Sequence, residues 1–288
     1  SLVLFVLSIF LSNYFTKTLV GPIEEMARNI SDPGQEVVYR ELEPFVATIR
    51  QQHDDIIKSA QMRQEFTANV SHELKTPMTS IKVLADSLNQ QPDVPVELYQ
   101  EFMQDITVEI DRENKIITDL LSLVKLDKKA ADLNIAEVDI NEMLENILKR
   151  LNPIASVKHV ELVLESFRPV VAEIDEVKLS LAFSNLIENG IKYNVENGYV
   201  HVKLDADHKY FFVTVTDSGI GIPEESIDKI FERFYRVDKS HSREIGGTGL
   251  GLAITRSAIV MHRGAIKVKS EEHKGTTFSV RIPLTYIA

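Results

Sequence analysis

The chain has 288 residues, 44% hydrophobic and 26% charged, with a formal net charge of −11. That composition fits a folded protein of about two domains, and its negative charge argues against nucleic-acid binding, which needs basic surface to displace phosphate counterions. It contains no cysteine, so disulfides, thiolate metal sites and cysteine nucleophiles are excluded, and any metal must be held by oxygen or imidazole.

Residues 1–16 carry no charge before Lys17. As a helix they would measure about 24 Å, slightly short of a bilayer core. We read them as the C-terminal part of a transmembrane helix, which places the chain at the cell membrane with the region from about Lys17 onward cytoplasmic. A cleaved signal peptide would instead show a basic start and a small-residue cleavage site. Thr18 to Asn29 reads as a short helix opened by Gly21-Pro22 and closed by Ser31-Asp32-Pro33-Gly34.

A second amphipathic helix starts near Glu41 and runs through Ile49, Ile56 and Met62 to Gln90. At about 100° per residue, Met62, Phe66, Val70, Leu74, Met78, Ile81, Ala85 and Leu88 share one face, with His72, Thr76 and Thr79 roughly opposite. His72 is therefore expected to be exposed. Pro77 lacks the amide that would bond the Glu73 carbonyl, so a bend is expected beside the histidine. Imidazole titrates near neutrality, and the adjacent Glu73 carboxylate could orient the ring and accept its proton during nucleophilic attack. Taken alone, a histidine on a polar helix face is more often just a solvated residue.

Gln91 to Pro95 reads as a turn, and a further helix is expected from Val96 to Asp127, with Leu98, Phe102, Ile106, Ile110, Ile117, Leu121 and Val124 along its stripe. Two helices cannot cover both stripes, so the hairpin is expected to pair with a second copy as a homodimeric four-helix bundle. Lys128 to Asn134 reads as a linker, and a second domain, residues 135–287, alternates strands and helices. Strands are expected at His159–Leu164, Tyr199–Leu204, Tyr210–Thr216, Ala265–Ser270 and Thr277–Ile282.

Three motifs in that domain suggest nucleotide chemistry. On the helix expected from Glu176 to Asn194, Asn185, Asn189 and Lys192 project from one side, opposite Leu181, Phe183, Leu186 and Ile187. Their carbonyl oxygens and ammonium suit a magnesium phosphate. The strand before Asp217-Ser218-Gly219-Ile220-Gly221 delivers a carboxylate able to accept from an exocyclic amine, as in adenine, with glycines letting a ring approach. Gly247-Thr248-Gly249-Leu250-Gly251 leads into a helix expected from Leu252 to His262, so its backbone amides form an anion site. It is neither a Walker loop nor a Rossmann turn. The polar stretch from Arg236 to Glu244 reads as a mobile lid.

These segments match in order the H, N, G1, F and G2 boxes of sensor histidine kinases of bacterial two-component systems: His72 and its flanks, Asn185 to Tyr193, Asp217 to Gly221, Phe231-Glu232-Arg233-Phe234-Tyr235-Arg236, and the Gly247 loop. Residues 17–58 resemble a HAMP signal-relay module, with Pro22 and Glu25 at its Pro-x-x-Glu positions, although the usual Asp-Glu-x-Gly connector is missing. The resemblance implies an α+β multi-domain chain: membrane-helix end, HAMP-like helices, a dimerisation and phosphotransfer hairpin over 59–128, and an α/β sandwich ATP-binding domain of the gyrase type over 135–287. It implies autophosphorylation of His72 from ATP with Mg2+, and transfer to an aspartate on the receiver domain of a response regulator.

By the same resemblance Glu73 is the proton acceptor and Asn189 the metal ligand. Asn185, Lys192, Tyr193 and Arg236 contact phosphate or ribose. Asp217 reads adenine beside Gly219 and Gly221, with Thr276 in support, and Gly247, Thr248, Gly249, Leu250 and Gly251 cradle phosphates. Thr76 occupies the position that orients water for regulator dephosphorylation. Phe231 and Phe234 are expected to pack the lid or dock the bundle. Gly190 stands where the family often has Ala, which should loosen the helix slightly. Alternatives are a phosphatase-dominated relative, a gyrase-like or chaperone-like ATPase, which leaves the His72 hairpin without purpose, and a non-catalytic dimeric relay, which would have lost the nucleotide groups.

Overall fold

The computed structural model describes residues 2–21, 24, 43–90, 95–127, 133–237 and 247–286. The chain divides into two compact units, Ser1–Val70 and Ser71–Ala288. In the first, helix α1 (Leu2–Phe15) passes directly into a π-helical turn, Thr16–Val20, and Gly21 keeps right-handed helical backbone at φ −53°, ψ −52°. The new helix expected at Thr18 is therefore not separate at its start. The rest of it, and most of the HAMP-like stretch with its connector, lie outside the described residues. The apolar side chains of α1 from Val3 onward are exposed, Val3 at 79% and Phe10 at 74%. Among the described residues no helix is long and apolar enough to cross a membrane.

Helix α2 (Glu43–Gln90) contains Pro77, and α3 (Val96–Asp127) follows; both ends agree with the sequence reading to within two residues. His72 is exposed, as its position opposite the stripe requires. Within the single chain Leu74, Ile81 and Leu88 are only half-buried and Met78 is 59% exposed. Along α3, Ile117, Leu121 and Val124 remain exposed, while Ile116 and Leu123, seven residues apart and off the expected stripe, are the buried ones. Helix α3 presents a second face, which packs against the helix Gly251–Met261.

The ATPase-like part contains β1 (Ala136–Asp139), α4 (Ile140–Val157), β2 (Glu161–Ser166), β3 (Val171–Ile174), α5 (Glu176–Lys192), β4 (Tyr199–Ala206), β5 (Tyr210–Asp217), α6 (Gly251–Met261), β6 (Ala265–Glu271) and β7 (Gly275–Pro283). The five expected strands form one mixed sheet of order β2-β4-β5-β7-β6, parallel only at β2–β4. Strands β1 and β3 escaped the sequence reading. Each has four residues, too few to show a period, and they pair antiparallel as a separate ribbon. Helices α4 and α5 start at aspartate caps: Asp139 accepts from the amides of Asn141 and Glu142, and Asp175 from that of Lys178. Such caps satisfy amides that lack an intrahelical partner.

The core lies between the helices and one face of the sheet. Helix α5 contributes Leu179, Phe183, Leu186, Ile187 and Ile191, each at most 1% exposed. Leu181, expected on this face, is only half-buried. Strand β5 alternates strictly, with Phe211, Val213, Val215 and then Asp217 turned inward. The period of two that fills the core thus also carries a carboxylate to its edge.

Candidate functional site

A cavity of about 610 Å³ opens where α5, the end of β5 and the start of α6 meet, within the usual range for small-molecule sites. It gathers groups far apart in sequence: Asn185, Asn189, Lys192 and Tyr193 from α5, Asp217 and Gly221 from β5 and its turn, Arg236, then Gly247, Thr248, Gly249, Gly251 and Thr276. Of the expected nucleotide residues, Gly219 and Leu250 are not in the lining. The Gly219 amide donates to Asp217 Oδ1 at 2.9 Å, and Leu250 is fully buried, its amide donating to Thr248 Oγ1 at 3.2 Å. Both shape the pocket from behind.

Asp217 is 8% exposed. Its Oδ1 also accepts from the Thr276 amide at 3.2 Å; Oδ2 has no hydrogen-bond partner among the described residues. Burial pushes the carboxyl above the ordinary range, and the Gly219 and Thr276 amides only partly pull it back. A buried acceptor with spare capacity next to Ile220, Ile222 and Phe278 suits an amine on a flat apolar ring.

At the other end, the Asn185 amide donates to the Gly251 carbonyl at 3.2 Å, fastening α5 to the glycine loop. Gly249 has φ +71°, and a Cβ there would sit 2.8 Å from the Phe234 Cα; only glycine fits this turn. The Asn189 side chain has no partner among the described residues and is available as an oxygen ligand. Among the described residues no group of three His, Asp or Glu could hold a metal. A magnesium ion here would depend on phosphate oxygens and water, which is its usual habit. Gly190 is fully packed: a Cβ would lie 3.2 Å from Val200 Cγ2 and 3.4 Å from Asp217 Cβ. The expected loosening of α5 is thus offset by close approach to β4.

Lys192 Nζ meets Glu188 Oε1 at 2.9 Å. Burial works to raise the Glu188 carboxyl, but Lys115 and Lys192 together hold it below its ordinary value. Burial likewise holds Lys192 below its usual range despite Glu188. Burial also raises the Tyr193 phenol, against the nearby Arg236 and Lys115 charges.

His72 and Thr76 line a separate shallow groove with Lys75, Thr79 and Ser80, and Thr76 Oγ1 donates to the His72 carbonyl at 3.2 Å. Neither reaches the cavity. Glu73 does approach it, Oε2 lying 3.7 Å from Arg236 Nη1. Phe231 stacks edge-on against Phe278 at 6.4 Å with Arg256 over its ring at 5.7 Å, and so packs onto the core rather than the hairpin. Phe234 sits at φ +63° with its amide bonded to the Gly249 carbonyl. The expected lid lies outside the described residues beyond Val237. Sequence reasoning missed Glu188, Lys115 and Asp119, all in the cavity lining. The one available signal was Ile116 and Leu123, an i,i+7 apolar pair off the main stripe of α3.

A family model described as the His Kinase A (phospho-acceptor) domain matches residues 62–129, and one described as histidine kinase-, DNA gyrase B- and HSP90-like ATPase matches residues 174–286. The chain belongs to the sensor histidine kinases of two-component systems. Sensor histidine kinase WalK of Bacillus subtilis (strain 168) is 36% identical over 229 residues, covering 78% of this chain and 37% of WalK. The chain therefore spans little more than a third of that curated relative. Among solved structures, full-length ShkA in complex with AMPPNP aligns at 26% identity and TM-score 0.58, over 78% of this chain and 46% of that one. Histidine kinase ThkA in complex with response regulator TrrA shares the fold at TM-score 0.66 and 24% identity, over 86% and 68%.

Proposed function

We propose that this histidine kinase phosphorylates its own His72 from Mg·ATP and passes the phosphoryl group to an aspartate on a response regulator. The observation that carries the reading is the convergence of Asn185, Asn189, Lys192, Asp217 and the Gly247–Gly251 loop on one cavity, in the compact unit that also exposes His72 beside Glu73. Asp217 Oδ2 accepts from the adenine amine, and Lys192 with the glycine-loop amides neutralises the phosphates. Asn189 would hold a magnesium ion together with the phosphates, and the ion would supply charge neutralisation for the transferred group. The His72 ring attacks the γ-phosphorus, the bond to the ADP oxygen breaks, and the ring proton passes to Glu73. Because His72 is not in the cavity lining of its own chain, transfer within one subunit requires the ATP-binding domain to shift along the hairpin.

The exposed apolar residues of α2 and α3 support a homodimeric four-helix bundle, and the groove at His72, Thr76 and Thr79 supports regulator docking. Thr76, one turn from His72, orients water for regulator dephosphorylation. The exposed apolar α1 supports a membrane location with a HAMP-like relay following it.

Incubation with γ-labelled ATP should give acid-labile, alkali-stable label on the chain, and label retained in His72→Gln would overturn the assignment. Thr76→Ala should keep autophosphorylation while losing regulator dephosphorylation; unchanged dephosphorylation would remove Thr76 from that role.

A further inference from the structure

The cavity is closed on one side by the hairpin. From α3, Asp119 Oδ2 accepts from Thr248 Oγ1 at 2.7 Å. One turn earlier, Lys115 Nζ reaches Glu188 Oε1 at 2.8 Å, the same oxygen that holds Lys192. Ile116 and Leu123, each 1% exposed, give this face of α3 its apolar footing where it packs against α6. Two groups suited to phosphate are thus both engaged by carboxylates: the Thr248 hydroxyl by Asp119, and the Lys192 ammonium by Glu188. A carboxylate offers the same acceptor chemistry as a phosphate oxygen, and the two cannot occupy one hydroxyl together. A triphosphate entering beside Asp119 and Glu188 in a partly desolvated cavity would also meet like charge.

We propose that Asp119 is a built-in phosphate mimic which, with the Lys115–Glu188 ion pair, latches the ATP-binding domain to α3 until nucleotide displaces it. The proposal rests on reading the cavity as a nucleotide site. In the latched arrangement His72 stays outside the cavity, so an empty domain is parked and a loaded one is freed to reach the ring. Linkage makes the effect reciprocal: whatever factor the latch takes from nucleotide affinity, nucleotide takes from the latch.

The absence of cysteine makes the test clean. Glu101→Cys on α3 and Val157→Cys on α4, both exposed, accept spin labels in the otherwise intact chain. Diluting labelled into excess unlabelled chain makes dimers with two labelled subunits rare. Distances are measured without nucleotide and with magnesium and a non-hydrolysable ATP analogue, and affinity for that analogue is measured by calorimetry. Nucleotide should lengthen or broaden the distance distribution. Asp119→Ala, a favourable helix substitution, should bind the analogue at least threefold more tightly and show the nucleotide-like distribution when empty. Lys115→Glu should also open the empty chain, and adding Glu188→Lys should close it again. If Asp119→Ala binds the analogue no more tightly, or nucleotide leaves the distances unmoved, the latch is wrong while the nucleotide site stands. If neither protein binds the analogue, both readings fall.

Discussion

Replacing Asp217 by asparagine tests the proposed adenine contact separately from support of the fold. In the folded chain Oδ1 already serves the Gly219 and Thr276 amides at 2.9 and 3.2 Å, and an asparagine oxygen can keep both bonds. What changes is the second atom: Oδ2, an acceptor, becomes an NH2 donor facing the donor amine of adenine. Losing a hydrogen bond to a charged acceptor costs about 2 kcal/mol, so ATP should bind roughly thirtyfold more weakly to Asp217→Asn. Stability should move the other way. Burial holds this carboxyl above its unfolded value, so the ionised group weakens the fold at neutral pH, and that cost disappears as pH falls through the raised pKa. Asp217→Asn, carrying no charge to bury, should therefore unfold at the same temperature as the parent or higher. Calorimetric titration with ATP and thermal unfolding on the same preparation read the two effects. An affinity within threefold of the parent, or a fall in unfolding temperature that parallels the loss of affinity, would refute the reasoning and make Asp217 a structural residue.

Two further outcomes follow from the geometry. Gly249→Ala forces a Cβ to within 2.8 Å of the Phe234 backbone at φ +71°; the urea midpoint should fall by the equivalent of about 1–2 kcal/mol, with ATP affinity falling too, and an unchanged midpoint would contradict the left-handed turn. His262 is 1% exposed, and since its Nε2 accepts from the Asp175 amide at 2.9 Å, its Nδ1 must carry the proton given to the Ala258 carbonyl at 2.7 Å. Burial depresses its pKa, against the Ala258 bond and the Asp175 charge, with Lys178 adding to the depression. The unfolded chain thus takes up a proton that the folded chain refuses, and stability should decline as pH falls below about 6.5. Denaturation midpoints at pH 7.5, 6.5 and 5.5 check this; His262→Gln should show a shallower slope, and an equal slope would exclude the histidine as its source.

The sequence alone located the long helices and the five strands of the main sheet, because apolar spacing repeats over enough residues to be read. It also placed His72 in solvent, since its angle opposite Val70 and Leu74 is a property of one helix. Ordered motifs singled out many of the side chains that line the cavity. The two four-residue strands were illegible, having no room for a period, and Gly219 and Leu250 look like pocket residues in sequence but stand behind the wall. What only the tertiary structure decided is where α3 lies against the ATP-binding domain. Lys115 and Asp119 read as ordinary solvated charges on an amphipathic helix, because local periodicity records the strongest apolar face and is silent about a second one. Their partners Glu188 and Thr248 are 73 and 129 residues away, and no local pattern encodes a contact made only when two separately folded layers meet.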